Sequence, residues 1–352
     1  MKRRESIIFI VLLLLVSSAT LVEAQTRKSG INAATFLKVG VGGRQVGLGS
    51  AVTSLTGDAT NMFWNPAGTA LKNDQAQIAF THNNWIASLK QEALAGSYNL
   101  AGIGTIGVGV MSFGIKGIQA DRDIYPLGDA QLRGQEIDQA TTDTYDYQDL
   151  LAQVTYSRYI IDKLAIGVSA KYIHEKIDDQ NASAVAFDLG SVYNIGILDW
   201  NIGARICNLG SDMKYYDFAS PIPLTFSIGT SMTPIRFGSS TSVLFAVDLV
   251  KPQDGQQYYY TGMEFNISNM FYIRGGWKVN YSFFGLAGDG IDEGITYGAN
   301  ARPGIRTSLE KGSLGAGFFL PMESYDVGFD YAYTAFTSLN DVHRFTVRFA
   351  LK

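Results

Sequence analysis

Residues 164–177 read Leu-Ala-Ile-Gly-Val-Ser-Ala-Lys-Tyr-Ile-His-Glu-Lys-Ile. One parity carries Leu164, Ile166, Val168, Ala170 and Tyr172, and the other carries Ala165, Gly167, Ser169 and Lys171. An apolar/polar repeat of two marks a strand whose two faces meet different surroundings. The repeat recurs along most of the chain. Val185, Phe187, Leu189 and Tyr193 oppose Ala186, Asp188 and Gly190, and Leu198, Trp200, Ile202, Ala204 and Ile206 oppose Asp199, Asn201, Gly203 and Arg205. Val243, Phe245, Val247 and Leu249 oppose Ala246 and Asp248. Near the end, Tyr325, Val327, Phe329, Tyr331 and Tyr333 oppose Asp326, Gly328 and Asp330, then Phe345, Val347, Phe349 and Leu351 oppose Arg344, Thr346 and Arg348.

Extending this reading predicts fourteen strands, at 76–84, 90–100, 103–114, 147–160, 164–177, 183–194, 197–208, 222–233, 240–250, 256–267, 270–280, 313–320, 325–335 and 342–352. Short links at 161–163, 194–196, 268–269 and 321–324 alternate with longer ones at about 115–146, 209–220 and 281–312. Short turns at one end, long loops at the other and an even strand count are the pattern of an outer-membrane barrel. In lipid an unpaired backbone N–H or C=O costs several kcal/mol, so a spanning sheet must close and leave no edge. A soluble β-sandwich also alternates, and it would place Asp188, Arg205, Asp248, Glu264, Arg274, Asp330 and Arg348 on solvent. A barrel encloses them, where opposite charges can pair. Aromatic strand ends (Tyr258, Tyr259, Tyr260, Trp277 and Tyr333) suit a girdle at the lipid interface. The expected fold is therefore an all-β transmembrane protein, a closed antiparallel barrel over residues 76–352.

Composition excludes other classes. The 352 residues include 28 Lys plus Arg and 32 Asp plus Glu, for a formal charge of −4, so the chain lacks the basic surface of a nucleic-acid binder. Only 17% of residues are charged and 12% are aromatic, with 38 Gly, which excludes a disordered chain. Residues 1–24 have the three parts of a secretory signal: Lys2, Arg3 and Arg4, an apolar core from Ile7 to Val16, and a small-residue site at Ala24, with cleavage expected after Ala24. That core is too short to span as a helix. The expected location is the outer membrane of a Gram-negative bacterium.

Residues 25–75 do not alternate. They carry Gly40, Gly42, Gly43, Gly47 and Gly49, then Asp58 ahead of a short run, then Trp64-Asn65-Pro66-Ala67-Gly68. Asp58 can cap a short helix, and Pro66 disfavours helix at Asn65. A Gly-rich, partly helical piece ahead of a barrel reads either as a hatch folded into the lumen or as a periplasmic extension.

The run from Phe36 to Ala51 (FLKVGVGGRQVGLGSA), with Asp58-Ala59 and Trp64-Asn65-Pro66-Ala67-Gly68, resembles the N-terminal signature of PorV/PorQ-type proteins, FadL-like outer-membrane barrels of the Bacteroidota and related phyla. The resemblance continues through Tyr156-Ser157-Arg158, Asn208-Leu209-Gly210, Lys251-Pro252 and Gly275-Gly276-Trp277. It implies a fourteen-stranded barrel with an N-terminal hatch whose motif residues are Gly42, Arg44, Gly47, Gly49, Asp58, Trp64, Asn65, Pro66, Ala67 and Gly68. It also implies one of two functions. A PorV-like barrel would serve the type IX secretion system, binding C-terminal-signal cargo or partner proteins through the loops near 115–146 and 281–312. A FadL-like barrel would admit a hydrophobic small molecule past the hatch.

Motifs for bond chemistry are weak. Gly102-Ile103-Gly104-Thr105-Ile106-Gly107 matches G-x-G-x-x-G but continues as a strand instead of opening a helix, so small residues beside a plug explain it better than a nucleotide site. His82, His174 and His343 lack metal-ligand spacing, and Asp289-Gly290-Ile291-Asp292-Glu293 lacks that of a calcium loop. Cys207 is the only cysteine and falls on the polar parity of its strand. No catalytic set, cofactor or metal is expected.

Overall fold

A strand with one greasy and one wet side needs two solvents, and a sheet closed on itself supplies them. The computed structural model describes residues 30–119, 144–255, 257–280, 310–336 and 340–352. Its strands are β1 (Ala76–Asn84), β2 (Lys90–Leu100), β3 (Gly104–Gln119), β4 (Thr144–Ile161), β5 (Leu164–Ile177), β6 (Gln180–Asn194) and β7 (Asn201–Gly210). A small hairpin follows, β8 (Met213–Tyr215) and β9 (Phe218–Ser220). The remaining strands are β10 (Thr225–Phe237), β11 (Thr241–Pro252), β12 (Tyr258–Ile267), β13 (Phe271–Asn280), β14 (Glu310–Pro321), β15 (Tyr325–Phe336) and β16 (Val342–Leu351). All but β8 and β9 form one closed antiparallel barrel of fourteen strands, each bonded to its neighbours in sequence. The seam joins β1 to β16, from Ala76 opposite Leu351 to Asn84 opposite His343.

The expected alternation sets the faces. Ile166, Val185, Phe187, Phe329 and Val347 are exposed on the outer wall, while Ser169, Asp188, Asp248 and Thr346 are buried inside. Val108 and Val154, paired across β3 and β4, are 55% and 56% exposed. An outer surface this apolar is the band that lipid covers. Among the described residues no helix is long and apolar enough to cross a membrane.

The departures from the sequence reading have local causes. β7 begins at Asn201, not 197, because Leu198 and Asp199 take left-handed conformations (φ 55° and 49°) and make the turn. Strands β3 and β4 run on to Gln119 and Thr144, so the loop between them is shorter than 115–146. The link at 209–220 holds the β8–β9 hairpin. At the loop end β5 and β6 are joined by Asp178 and Asp179 alone, so that end mixes tight and long connections. Tyr258 and Tyr260 share the inward parity with Gly262 and Glu264, and only Tyr259 of the three can face lipid, since neighbours in a strand point to opposite sides. Tyr260 instead lies against Lys278, whose Nζ is 5.1 Å from its ring centroid. Trp277 does face outward, 55% exposed.

Residues 30–75 run down the lumen. At the loop end Ala33 N donates to Pro221 O (3.0 Å), and at the short-turn end Gln75 N donates to Leu351 O (2.7 Å), where the segment passes into β1. It is built from 3-10 turns at Thr35–Lys38, Ala59–Phe63 and Pro66–Thr69 and one short helix, α1 (Gly43–Gly47). Asp58 caps its turn by accepting from Thr60 N (2.9 Å). Asn65 caps the next by accepting from Ala67 N (3.1 Å), so Pro66 both closes one turn and opens another at the first position, where its missing N–H costs nothing.

Candidate functional site

Six charges tie this inner segment to the wall. Arg44 of α1 meets Glu264 of β12 through Nε to Oε2 and Nη2 to Oε1, both 3.0 Å. Glu264 Oε2 also accepts from Arg274 Nε of β13 (2.6 Å), and Arg274 Nη1 donates to Asp330 Oδ1 of β15 (2.6 Å). Arg348 of β16 takes the other oxygen of Asp330 at 2.7 Å and reaches Asp58 Oδ2 at 3.2 Å. The series Arg44–Glu264–Arg274–Asp330–Arg348–Asp58 alternates in sign, is neutral in sum, and has both ends in the inner segment. Burial works against charge on Arg44, but Glu264 outweighs it and raises the guanidinium's pKa further. Burial likewise opposes the Asp58 carboxylate, yet Arg348 and Arg44 hold its pKa below the usual range. A buried pair is stable only when each charge is answered by an opposite one; here each is, and within the series Arg274 Nη2 is buried without a hydrogen bond.

Polar clamps fix the rest. Asp248 Oδ2 of β11 accepts from Val52 N (2.9 Å), Thr53 N (2.9 Å) and Thr53 Oγ1 (2.7 Å). Asn65 Nδ2 donates to Thr53 O (2.6 Å) and to Ser191 O of β6 (3.3 Å). Trp64 donates Nε1–H to Val41 O (2.8 Å), lies 5.5 Å from the Arg205 guanidinium, and accepts Cys207 Sγ–H at its carbonyl (3.1 Å). On β5 and β6, Lys171 Nζ pairs with Asp188 Oδ2 at 2.5 Å and donates to Asn208 Oδ1 at 3.0 Å.

Glycines let the two backbones meet. A Cβ placed on Gly276 would lie 1.9 Å from Gly49 N, one on Gly203 2.2 Å from Thr53 O, and one on Gly167 2.3 Å from the Pro66 carbonyl carbon. Gly190 would strike Asn65 Oδ1 at 1.8 Å. Within the segment Gly42 (φ 92°) and Gly49 (φ 62°) occupy left-handed positions, Gly47 lies against Gly315, and Gly68 accepts from Gly57 N at 2.8 Å. Gly107, the last glycine of the stretch that mimics a nucleotide loop, and Gly109 beyond it face Met62.

Toward the loop end the lumen changes character. Phe36, 1% exposed, sits among Met111, Phe113, Leu151, Ile173, Met213 and Ile222, its ring stacked 6.4 Å from that of Phe113. Met213 belongs to the β8–β9 hairpin, which thus helps roof an apolar chamber. Beside it, lined by Ala34, Tyr147, Glu175 and Tyr215, is a cavity of about 240 Å³.

The structure brings the motif residues from Gly42 to Gly68 into the lumen, and it turns all seven named charges inward. What parity alone did not pair was Arg44 with Glu264 and Asp58 with Arg348. Lys171 and Arg344 also point inward, Arg344 at 1% exposure, although neither stood among the candidate residues. Their positions opposite Tyr172 and Phe345 in the repeat were the available signal. Asp149 and Glu175 were missed altogether. His82, His174 and His343 lie on the outer wall of their strands toward the loop end, and among the described residues no cluster of His, Cys, Asp and Glu could hold a metal. The loops assigned to cargo fall largely at 120–143 and 281–309, outside the described residues.

Comparison with known proteins addresses the fold. A model for an uncharacterised protein family, UPF0164, matches residues 13–124, which take in the whole inner segment and the first three strands. No curated protein matches the chain. The structure is similar to the Pseudomonas putida toluene transporter TodX, with 10% identity, 89% of this chain and 98% of that one covered, and a TM-score of 0.57. The deltaS2S3 mutant of TodX, a monoaromatic hydrocarbon channel, matches at 11% identity over 89% of this chain and 99% of its own, with a TM-score of 0.53. A Pseudomonas aeruginosa FadL homologue matches at 10% identity over 88% and 98%, with a TM-score of 0.49. The chain has a TodX-like outer-membrane barrel fold.

Proposed function

We propose that the protein, without bond chemistry of its own, passes small apolar molecules across the outer membrane, with residues 30–75 as the hatch that must yield. The observation that carries this reading is the chamber around Phe36: a pocket of apolar side chains inside a polar lumen, filled by one ring of the hatch itself. Burying a Phe is worth about 1.5–3 kcal/mol, a sum that an incoming apolar molecule can replace. The likeness in fold to a toluene transporter supports the reading. The test is toluene binding to the purified protein in detergent. Phe36→Ala vacates the chamber and should tighten binding several-fold, while Ala184→Phe, at a buried alanine of β6 in the same cluster, should weaken it. Unchanged affinity in both variants would remove the chamber from the path.

A second reading, as a component of type IX secretion that engages C-terminal-signal cargo, draws support from the hatch signature and from the charge series that holds the hatch across the lumen. Pull-down of cargo by a variant lacking 120–143 would argue against it.

A further inference from the structure

The cavity beside the chamber is acidic, and its geometry says what kind of head group fits it. Glu175 of β5 lines the cavity, and Asp149 of β4, outside that lining, stands directly opposite Glu175 in register on the same inward face. Like charges placed so repel. Each receives one phenolic hydrogen bond: Tyr147 donates to Asp149 Oδ2, and Tyr215 donates to Glu175 Oε2 at 2.5 Å. Asp149 is fully buried, and its Oδ1 has no partner. Among the described residues no cation is paired with either carboxylate. Lys38 is engaged by Asp254, Lys171 by Asp188 and Arg44 by Glu264, and Lys176, which borders the cavity, belongs to the exposed parity. Asn32, on the hatch side of the same cavity, has both its amide oxygen and its amide nitrogen buried without a partner.

The site therefore presents unmet acceptors and a surplus of negative charge, and Ala34, Tyr147 and Tyr215 connect it to the apolar chamber. Resting on the passage reading above, we infer that this cavity takes the protonated amine head of a small amphiphile whose apolar tail lies in the chamber. An ammonium brings three donors and one positive charge to the carboxylate pair. A carboxylate head would add more negative charge there. A calcium ion wants six to eight oxygens, and two of the nearby groups are phenols already donating their hydrogens. At about 240 Å³ the cavity is smaller than the roughly 300–1,000 Å³ of a drug-sized ligand site, room for a head group and a few carbons.

The experiment is calorimetric titration of the full-length protein in maltoside micelles, blanked against empty micelles, with octylamine, octanoate and toluene. Octylamine should bind at least about tenfold more tightly than octanoate. Glu175→Gln and Asp149→Asn should each remove most of that preference while leaving toluene affinity and heat-modifiable gel mobility unchanged, and Glu175→Asp should keep part of it. Octanoate binding as well as octylamine, or an amine preference that survives both variants, overturns the inference. So does displacement of octylamine by millimolar calcium. Toluene binding without amine preference sinks the head-group assignment alone, whereas failure of all three probes sinks the passage reading with it.

Discussion

Gly276 of the wall and Gly49 of the hatch meet backbone to backbone: a methyl group on Gly276 would stand 1.9 Å from Gly49 N. Its neighbour Gly275 faces the other way, and a Cβ there would meet only Leu314 Cδ2 at 3.9 Å. Gly276→Ala should therefore dislodge the hatch and make residues 40–60 sensitive to protease, while Gly275→Ala should behave as wild type. Limited proteolysis of the two variants side by side is the check, and equal resistance would show that the hatch does not depend on this approach.

Glu264 is the shared acceptor of Arg44 and Arg274. Glu264→Ala leaves the buried Arg274 and the partly buried Arg44 without their shared acceptor, and losing one partner of a buried pair costs about 3–5 kcal/mol. Hydrogen exchange of α1 amides should accelerate by orders of magnitude with little change in the strands. If α1 and the strands lose protection together, the charge series supports the barrel as a whole and not the hatch.

The depressed pKa of Asp58 gives hatch docking an acid limit. A carboxylate whose folded pKa is lowered contributes its full stabilisation above the ordinary value, near 3.8, and loses it as pH falls through the lower folded value. Docking followed by protease resistance should thus be flat from pH 7 to about 5 and weaken below about 4. Asp58→Asn should be weaker at neutral pH and show a smaller acid-dependent loss. An unchanged acid profile in that variant would assign the loss to other carboxylates.

Val154 stands on the lipid face beside Val108. Val154→Lys should cost about 2–4 kcal/mol if this band lies near the bilayer midplane, read as a lower unfolding midpoint in heat-modifiable gels. Substituting Ile160, nearer the short turns, should cost less. Equal costs would contradict the depth assigned to the two positions.

The strands were legible because alternation is local: whether Val168 and Ser169 face opposite ways is decided by the pleat between them. Inward charges such as Asp188 and Arg348 could be picked out for the same reason. Their partners could not, since Arg44 meets Glu264 across 220 positions and Arg348 meets Asp58 across 290. Those pairings depend on where the hatch lies in the lumen, which no repeat encodes. The β8–β9 hairpin was hidden because three-residue strands are too short to establish a period. The run of three tyrosines at 258–260 misled because composition suggests one surface where geometry allows two.

The hatch enters the lumen at one end and leaves at the other straight into β1, the strand that pairs with β16. Gln75 N donates to Leu351 O, and the next residue, Ala76, already pairs with Leu351 across the seam. Any pull on the inner segment is therefore felt first at the joint that closes the ring.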